Sequence, residues 1–488
     1  MLISRHLNQT LQKLKIDLDQ CGDVVWRKMH IGGVDACLLY MDSMIDRELI
    51  EGDFLRDLMY GVQQLPKNDP LAFIQEYALT TADSKLLTDY ENAVLEALSG
   101  NTVLFMEGSG QALVISSKKF PLRGVQPAES EAVVRGPKDS FTESLRFNTV
   151  LIRRRIRDTR LKSIPMSIGE RTKTDISILY MEGIARKIWV QEIKKRLESF
   201  VVDGIFDCGT LEQLTEKEWY SPFPQFQTTE RPDKTASALL EGRVVLVVDN
   251  SPMVLLLPAT LNCFFQAADD YYNRWGIVCF VRVLRYLAAF IAMTFPGIYI
   301  GIACFHPEML PTSLELSFAA AREGVPFPVP IEVILLEIAF ELLREAGIRL
   351  PGPMGSALGI VGGLIIGQAA VDAHIVSPIV VIVVAFTALA SFTIPNEGFA
   401  SAFRQVKFYL ILLASFLGIY GVILGILTVF IHLASLESFG IPYLMPFVAS
   451  QADDSTDLQD ALIRKPLFSF KLRPIFSKKG ERVRYKKK

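Results

Sequence analysis

Three glutamates in one apolar stretch are the residues whose type and spacing best suit interaction with ions. The stretch, "VPIEVILLEIAFELLREAG", covers residues 329 to 347. With about 100° between successive residues of an α-helix, Glu337, Glu341 and Glu345 lie on one stripe, and Glu332 lies off it. A row of carboxylates that faced lipid would cost several kcal/mol, so the stripe is predicted to face protein or water.

Sequence features of an enzyme are not found. There is no GxxxxGK[ST] loop, and "GSGQAL" at residues 108 to 113 reads as a hairpin turn rather than the start of a helix. None of the five histidines is at metal-ligand spacing from another His or Cys, and the six cysteines form no CxxC pair. We therefore expect no catalytic site, no bound metal and no cofactor.

Charge is unevenly distributed along the chain. Residues 276 to 443 contain 7 Lys/Arg and 10 Asp/Glu in 168 positions, whereas the other 320 residues contain 87 charges. This pattern predicts a soluble head, a lipid-facing middle and a charged tail.

The net charge of −2 argues against nucleic acid as a partner. From residue 464 to the end there are 11 Lys/Arg and one acid, which indicates either a solvated tail or attraction to anionic lipid on the cytoplasmic side.

The apolar middle contains four uncharged stretches, each long enough to cross a bilayer as a helix. The acidic helix at 329 to 345 follows "EGVPFPVP" and is predicted to be re-entrant. A cytoplasmic head and a cytoplasmic basic tail require an even number of spans, which four spans and one re-entrant helix satisfy. The four stretches are residues 286 to 307, 350 to 371, 373 to 396 and 408 to 436.

Glycine recurs every four residues in the second of these stretches, which gives a smooth ridge for a neighbouring helix. The ridge residues are Gly355, Gly359, Gly363 and Gly367. The opposite face meets either lipid or a lumen, and a lone Gln in lipid would be unfavourable unless it bonded an adjacent helix. That face consists of Ala357, Val361, Leu364, Ile365 and Gln368.

The head is predicted to be an α/β region, because strand and helix patterns alternate along it. Residues 35 to 42 and 174 to 181 read as strands, and 139 to 156 and 183 to 200 as helices. Two hairpin-like stretches, 101 to 116 and 242 to 257, resemble one another, either by duplication or as independent hairpins. The predicted division is an α/β domain (1–235), a pre-membrane hairpin segment (236–275), a helical transmembrane domain (276–447) and a basic cytoplasmic tail (448–488).

An arginine cluster, "RRRIRDTRLK" at residues 153 to 162, has two interpretations. It is either a solvated face with intramolecular ion pairs, or a contact with acidic residues of a neighbouring subunit. The subunit-contact candidates are Arg153, Arg154 and Arg155.

Several long strings of this sequence resemble the A subunit of the GerA-type spore germinant receptors, over about residues 35 to 470. Asn250 and Ser356 depart from the residues more common in that family. The strings are "VVRGPKDSFTESLRFNTVLIRRRIR", "SPFPQFQTTERPDKTASALLEGRVVLVVD", "AREGVPFPVPIEVILLEIAFELLREAGIRLP", "GGLIIGQAAV" and "SFGIPYLMPF".

The resemblance implies a multi-pass protein of the inner spore membrane with a cytoplasmic N-terminal domain of two α/β subdomains. It also implies a transporter-like B subunit and a lipoprotein C subunit as partners, contact with membrane lipids, and a homo-oligomer, expected to be a pentamer, that releases monovalent cations. The helix from residue 355 to 371 would then line the ion path, with Val361 near a constriction. A non-sensing paralogue that amplifies ion release and a scaffold subunit remain alternative functions.

Within such an oligomer the glutamate stripe has two explanations. Carboxylates repeated around a ring of subunits would concentrate cations near the pore mouth. Alternatively, Glu341 and Arg344, which are neighbours on one helix face, neutralise each other inside the bundle.

Overall fold

The chain forms two compact units in a computed structural model that describes residues 1–56, 58–59, 62, 64–66, 70–78, 83–119, 128, 131–348, 354–448 and 460–484. The head unit is Met1–Lys217, Phe226–Pro258 and Phe470–Lys488, and the helical unit is Glu218–Gln225 and Ala259–Ser469. This division differs from the sequence-based boundaries. The hairpin after residue 242 is part of a sheet of the head, and the end of the tail packs on the head as well.

The first half of the head unit is an antiparallel sheet with the strand order β1-β2-β4-β5-β3. Alternate residues of β4 lie in different apolar clusters, Val103 and Phe105 in one and Leu104 and Met106 in the other. The sheet is therefore covered on both faces, which explains why its central strands are almost continuously apolar. The strands are β1 (Val24–Ile31), β2 (Val34–Met41), β3 (Ser84–Leu87), β4 (Thr102–Met106) and β5 (Ala112–Ile115), with helices α1 (Leu7–Asp17), α2 (Pro70–Phe73) and α3 (Tyr90–Leu98) and π-helical turns at Glu48–Phe54 and Ile74–Ala78.

The second half of the head unit is another antiparallel sheet, with the order β6-β7-β9-β10-β8. The strands predicted at 35 to 42 and 174 to 181 are confirmed as β2 and β7, and the two predicted helices are confirmed with shorter bounds. The strands are β6 (Leu161–Ile168), β7 (Thr174–Met181), β8 (Gln227–Thr229), β9 (Val244–Val248) and β10 (Val254–Leu257), with helices α4 (Leu145–Arg153), α5 (Lys187–Glu198), α6 (Cys208–Thr215) and α7 (Pro232–Leu240).

The two sheets repeat one topology. Each has an edge hairpin (β1-β2 or β6-β7) and a central hairpin (β4-β5 or β9-β10), and a short strand that pairs with the last strand of the central hairpin. In both, the short strand leads through one helix, α3 or α7, into the central hairpin. The similarity of residues 101–116 and 242–257 thus belongs to a repeat of the whole sheet.

The described end of the tail lies on the second sheet's side of the head unit. The backbone N–H of Lys478 donates to the carbonyl of Ile184 at 2.8 Å, and the Arg186 guanidinium donates to the carbonyl of Ile475 at 2.7 Å. Phe476 and Ser477 are buried. These contacts make residues 470–484 an integral part of the head.

The helical unit contains eight helices and three apolar clusters among its described residues. The helices are α8 (Leu261–Phe265), α9 (Asp269–Tyr272), α10 (Trp275–Phe305), α11 (Thr312–Ala321), α12 (Val329–Ile348), α13 (Met354–Asp372), α14 (Pro378–Ser391) and α15 (Glu397–Ser435). The short strands β11 (Glu437–Ser438) and β12 (Ile441–Pro442) follow them, and 3-10 turns lie at Pro307–Met309 and Leu467–Ser469 here and at Lys479–Glu481 in the head.

Helix α15 is a hairpin and not a straight rod. Gly418, at φ 60° and ψ −142°, divides it into a first limb (397–417) and a second limb (419–435). The hydroxyls of Tyr409 and Thr428 are 3.0 Å apart, although a straight helix would separate these residues by about 28 Å. The span predicted from residue 408 to 436 is therefore wrong as a single straight helix, because hydropathy does not register one glycine turn.

The long helical segments alternate in direction. Arg344, near the end of α12, contacts Glu397 at the start of the first limb, and Lys407 contacts Glu337 nearer the start of α12. The first limb is therefore antiparallel to α12. Helices α12 and α14 begin side by side, where the N–H of Ser377 donates to Glu332.

Helices α10 and α13 run in the direction of the first limb. On α10, Gly297 faces Leu410 of the first limb, and Gly301 faces the turn at Gly418. On α13, Gly362 faces Leu343 and the next residue faces Phe340, so α13 is antiparallel to α12. In the described part of the helical unit, six segments, counting the two limbs, thus run in alternating directions.

Two helices among the described residues, α10 and α15, are long and apolar enough to cross a membrane. Of the other predicted spans, 373 to 396 contains α14, which is apolar but has 14 residues, and 350 to 371 overlaps α13. The acidic stretch is a continuous helix, α12, of 20 residues, about 30 Å long.

Candidate functional site

The glutamate stripe of α12 faces basic residues of the first limb. The Lys407 ammonium donates to Glu337 Oε2 at 2.5 Å, and the two side chains are 7% and 3% exposed. Glu341 lies 3.6 Å from Lys407 and 3.7 Å from Arg404. The stripe was predicted to face protein or water, and its members Glu337 and Glu341 face protein and meet positive charge there.

The ion pairs continue toward the end of α12 as an alternating ladder. Arg344 contacts Glu397 at 2.9 Å, and Arg404 contacts the same carboxylate at 3.3 Å. Three acids and three bases thus balance. Neutralisation occurs within the bundle, but the cations that contact Glu341 come from the first limb instead of Arg344. Glu345 is exposed.

Glu332 lies off the stripe, as predicted, at the start of α12. It is fully buried, and its Oε2 accepts a hydrogen bond of 2.7 Å from the backbone N–H of Ser377, the residue that caps α14. Its Oε1 is 3.6 Å from Arg322. Glu332 therefore fixes the start of α14 beside the start of α12.

The described part of α13 has one packed side and one uncovered side. A Cβ added at Gly363 would lie 3.1 Å from the Phe340 ring, and one at Gly367 would lie 3.1 Å from Val381 of α14. Ile365 is 61% exposed, and exposed Gln368 donates to Asp372 of its own helix at 3.0 Å. The surroundings of the side chains predicted at Gly355, Ala357, Gly359, Val361 and Leu364 lie outside the described residues.

Two further glycine pairs, not singled out from the sequence, set the closest helix contacts. A Cβ at Gly301 would meet the backbone N of Ile419 at 2.8 Å, and one at Gly421 would meet the carbonyl oxygen of Leu413. Gly297 and Gly425 lie four residues from them on the same helices, as Gly-xxx-Gly packing requires. This spacing is visible in the sequence and could have identified both pairs.

A buried charge network that the sequence analysis missed lies at the start of α10. Arg282 is 1% exposed, and its guanidinium donates to Asp270 at 2.9 Å and to Asp460 at 2.7 Å. Arg285 also contacts Asp270, at 3.0 Å. The network ties the first residues of α10 to the chain that follows the last helix. Two arginines three residues apart at the edge of an apolar helix were the available signal.

The arginine cluster of the head has partners inside the chain. Arg153, at the end of α4, is 1% exposed and forms a bidentate pair with Asp23, at 2.7 and 3.0 Å, which links the two halves of the head unit. Nη2 of Arg155 donates to both carboxylate oxygens of Asp139, each at 2.7 Å. Arg154 is partly exposed. Of the three subunit-contact candidates, Arg153 is therefore sheltered from the surface.

The head's cysteines are not arranged as nucleophiles. Burial raises the pKa of Cys37 and Cys208 to about 11, so both thiols are protonated at neutral pH. Cys21, beside an open groove of about 630 Å³, also has its pKa raised by burial. Within the part of the chain that the structure describes, no three His, Cys, Asp or Glu side chains are grouped to hold a metal ion.

The fold defines a class of protein in which a two-sheet α/β head is joined to a bundle of apolar helices. Residues 12–476 match the family described as Bacillus/Clostridium GerA spore germination protein, and the chain belongs to this family. The family is one of spore germination proteins and is not known as a family of enzymes.

Individual relatives match over most of their length. The chain is 39% identical to spore germination protein KA of Bacillus subtilis (strain 168), over 99% of this chain and 89% of that protein. It is 40% identical to spore germination protein A1 of the same organism, over 95% and 94%. Among solved structures, the N-terminal domain of the A subunit of the Bacillus megaterium spore germinant receptor GerK3 matches 54% of this chain and 98% of that chain, with 29% identity and a TM-score of 0.43.

Proposed function

We propose that the chain is the A-type membrane subunit of a nutrient germinant receptor in the inner spore membrane. In this proposal it forms a homo-oligomer, expected to be a pentamer, with transporter-like B and lipoprotein C subunits as partners, and it releases cations when nutrient binds. The family match supports the role in germination. The proposed channel role is supported by the packing of α13. The glycine side of this helix packs on α12 and α14, whereas Ile365 and Gln368 are exposed.

In the proposed oligomer, the uncovered face of α13 lines the ion path. Shortening Val361 to alanine is then expected to hydrate a narrow apolar constriction, since apolar rings close pores by expelling water. Spores should lose cations early or germinate without nutrient at a several-fold higher rate. Measurement of potassium release and of heat resistance in the absence of nutrient tests this.

Val283→Ala is the matched control, because Val283 is 48% exposed on α10 and lipid can fill the space left by the lost methyl groups. It should leave dormancy unchanged. Normal dormancy and a normal nutrient response in Val361→Ala, present at the wild-type level, would refute α13 as the pore helix.

The cation-attracting role proposed for Glu337, Glu341 and Glu345 differs between these residues, because their exposure differs. Glu345 is exposed and therefore accessible to cations from solution. Glu337 and Glu341 would do so only after separation from Lys407 and Arg404, because these cations neutralise them in the single chain.

In place of the four spans and one re-entrant helix predicted from the sequence, we further propose that six segments cross the membrane, with α12 as one of them, and that the head is cytoplasmic. Because residues 470–484 pack on the head, both ends of the helical unit must lie on one side, and six alternating segments meet this requirement. In intact cells, an impermeant thiol reagent should therefore label Ser313→Cys, before the start of α12, and should not label Lys471→Cys. Labelling of Lys471→Cys without permeabilisation contradicts the proposed topology.

For assembly, we propose that exposed arginines of the head contact acidic residues of a neighbouring subunit. Arg154→Glu is expected to reduce the size of the solubilised complex while the head stays folded, because Arg154 is partly exposed and buried Arg153 is unchanged. Size-exclusion chromatography in detergent measures this. Arg171→Glu, at an 82% exposed arginine, is the control, and an unchanged complex in both variants would favour the solvated-face interpretation.

A further inference from the structure

A short arm, Glu218–Gln225, belongs to the helical unit although the chain on both sides of it belongs to the head. Phe223 is 2% exposed, and the carbonyl of Pro224 accepts a hydrogen bond of 3.0 Å from Tyr443. The Ser221 hydroxyl lies 2.9 Å from Nε2 of His432, near the end of the second limb. The arm is therefore fixed to that end of the limb. The rings that surround Phe223 are Phe399, Phe403, His432 and Tyr443.

Two large aromatic side chains of this fixed arm are uncovered. Trp219 is 81% exposed and Tyr220 is 63% exposed, and their rings pack edge to face at 6.1 Å. The Tyr220 ring lies 6.2 Å from His432. A hydrogen bond to Glu218 raises the pKa of the Tyr220 hydroxyl, so the polar end of this ring has a partner while most of its apolar body is exposed. Such rings gain strongly from a partly apolar environment.

The second limb continues this uncovered surface with an apolar stripe. Its residues recur at three- and four-residue spacing, which places them on one helix face. Each is at least 50% exposed, and the face ends beside the arm. The stripe consists of Ile423, Leu424, Leu427, Phe430 and Ile431.

We propose that Trp219 and Tyr220 anchor the arm in the interface between the headgroups and the acyl chains of a lipid bilayer. Trp and Tyr favour this region because an apolar ring body and a polar edge are both solvated there. The apolar stripe and the adjacent Trp–Tyr pair, whose tyrosine has a polar partner, together match this change from apolar acyl chains to polar headgroups. A protein partner would instead require a pocket of complementary shape. The inference rests on the proposed membrane location of the helical unit.

Fluorescence quenching by brominated lipids tests the anchor on the full chain in lipid nanodiscs. Replacing Trp26, Trp189 and Trp275 by Phe leaves Trp219 as the only tryptophan, whose emission can be excited selectively over that of tyrosine. Bromine near the headgroup end of the acyl chains should reduce Trp219 emission about twofold, and bromine near the methyl ends should reduce it less. A variant that keeps only Trp189, which is 3% exposed in the head unit, is the control and should be unaffected.

A second probe separates failure of the anchor from failure of the membrane location. In a chain without the native Trp residues, Phe430→Trp reports on the stripe. Quenching of this probe without quenching of Trp219 overturns the anchor and leaves the membrane location standing. Absence of quenching at both positions overturns both. Unquenched, blue-shifted Trp219 emission identifies a protein contact and also overturns the anchor.

Discussion

Replacing Lys407 by methionine is expected to lower the free energy of unfolding of the solubilised chain by about 3–5 kcal/mol. Methionine has a similar length but no charge, so Glu337 would remain as a buried carboxylate without the cation that now lies 2.5 Å away. Denaturation of the purified chain in detergent measures the loss. A reduced level of the protein in spore membranes should accompany it.

A double variant shows whether the loss comes from the unpaired charge. Glu337→Gln combined with Lys407→Met removes both charges and should recover most of the lost stability, because the buried carboxylate is gone. Lys465→Met, at an exposed lysine, should change stability by less than about 0.5 kcal/mol. If the double variant were as unstable as Lys407→Met, the pair would not be the cause.

Gly421→Ala is expected to destabilise the helical unit by about 1–3 kcal/mol. Alanine is intrinsically better than glycine in a helix by about 1 kcal/mol, so the expected sign depends on packing. The added Cβ would meet the carbonyl group of Leu413, and a backbone atom of a packed helix cannot turn away as a side chain can. Thermal denaturation in detergent gives the comparison.

Variants at two other glycines provide comparisons for the size of this destabilisation. A Cβ at Gly276 meets nothing within 4 Å, so Gly276→Ala should be neutral or slightly stabilising. At Gly425 the three atoms nearest to the Cβ are side-chain atoms of the first limb, which can rotate, so the loss should be intermediate. Equal stability of the Gly276 and Gly421 variants would mean that the limbs do not pack as described.

The head was largely predictable because its signals are local. Strands such as β2 and β7 alternate or are continuously apolar within eight residues, and their boundaries fall at turns. The similarity of the two central hairpins was visible too. Identical strand order was not, because β3 and β8 have only four and three residues and no distinct pattern.

The partners of the charged residues could not be predicted, because they come from distant parts of the sequence. Glu337 and Lys407 are 70 residues apart, and Asp23 and Arg153 are 130 apart. Periodicity places each residue on a helix face but does not say which helix packs there. The glutamate stripe was therefore predicted only to face protein or water, and the counter-charges of Glu337 and Glu341 were not predicted.

The hairpin at Gly418 illustrates a second limit. The predicted span from 408 to 436 contains no proline and no Asp, Glu, Lys or Arg, so hydropathy predicts one continuous helix. The reversal depends on one glycine at positive φ and on two more, Gly421 and Gly425, that let the limbs approach. Spacing of small residues carries that information, and mean hydropathy does not.

The packing of residues 470–484 on the head sets an order of events during synthesis. The surface formed by residues 184–186 and 240–243 is covered by Phe476 and its neighbours. These residues leave the ribosome only after every helix of the helical unit has been synthesised. The head therefore begins to fold before the helical unit is synthesised, and it completes its folding only after residues 470–484 have been synthesised. A chain that lost its final twenty residues would have all its helices and an unfinished head.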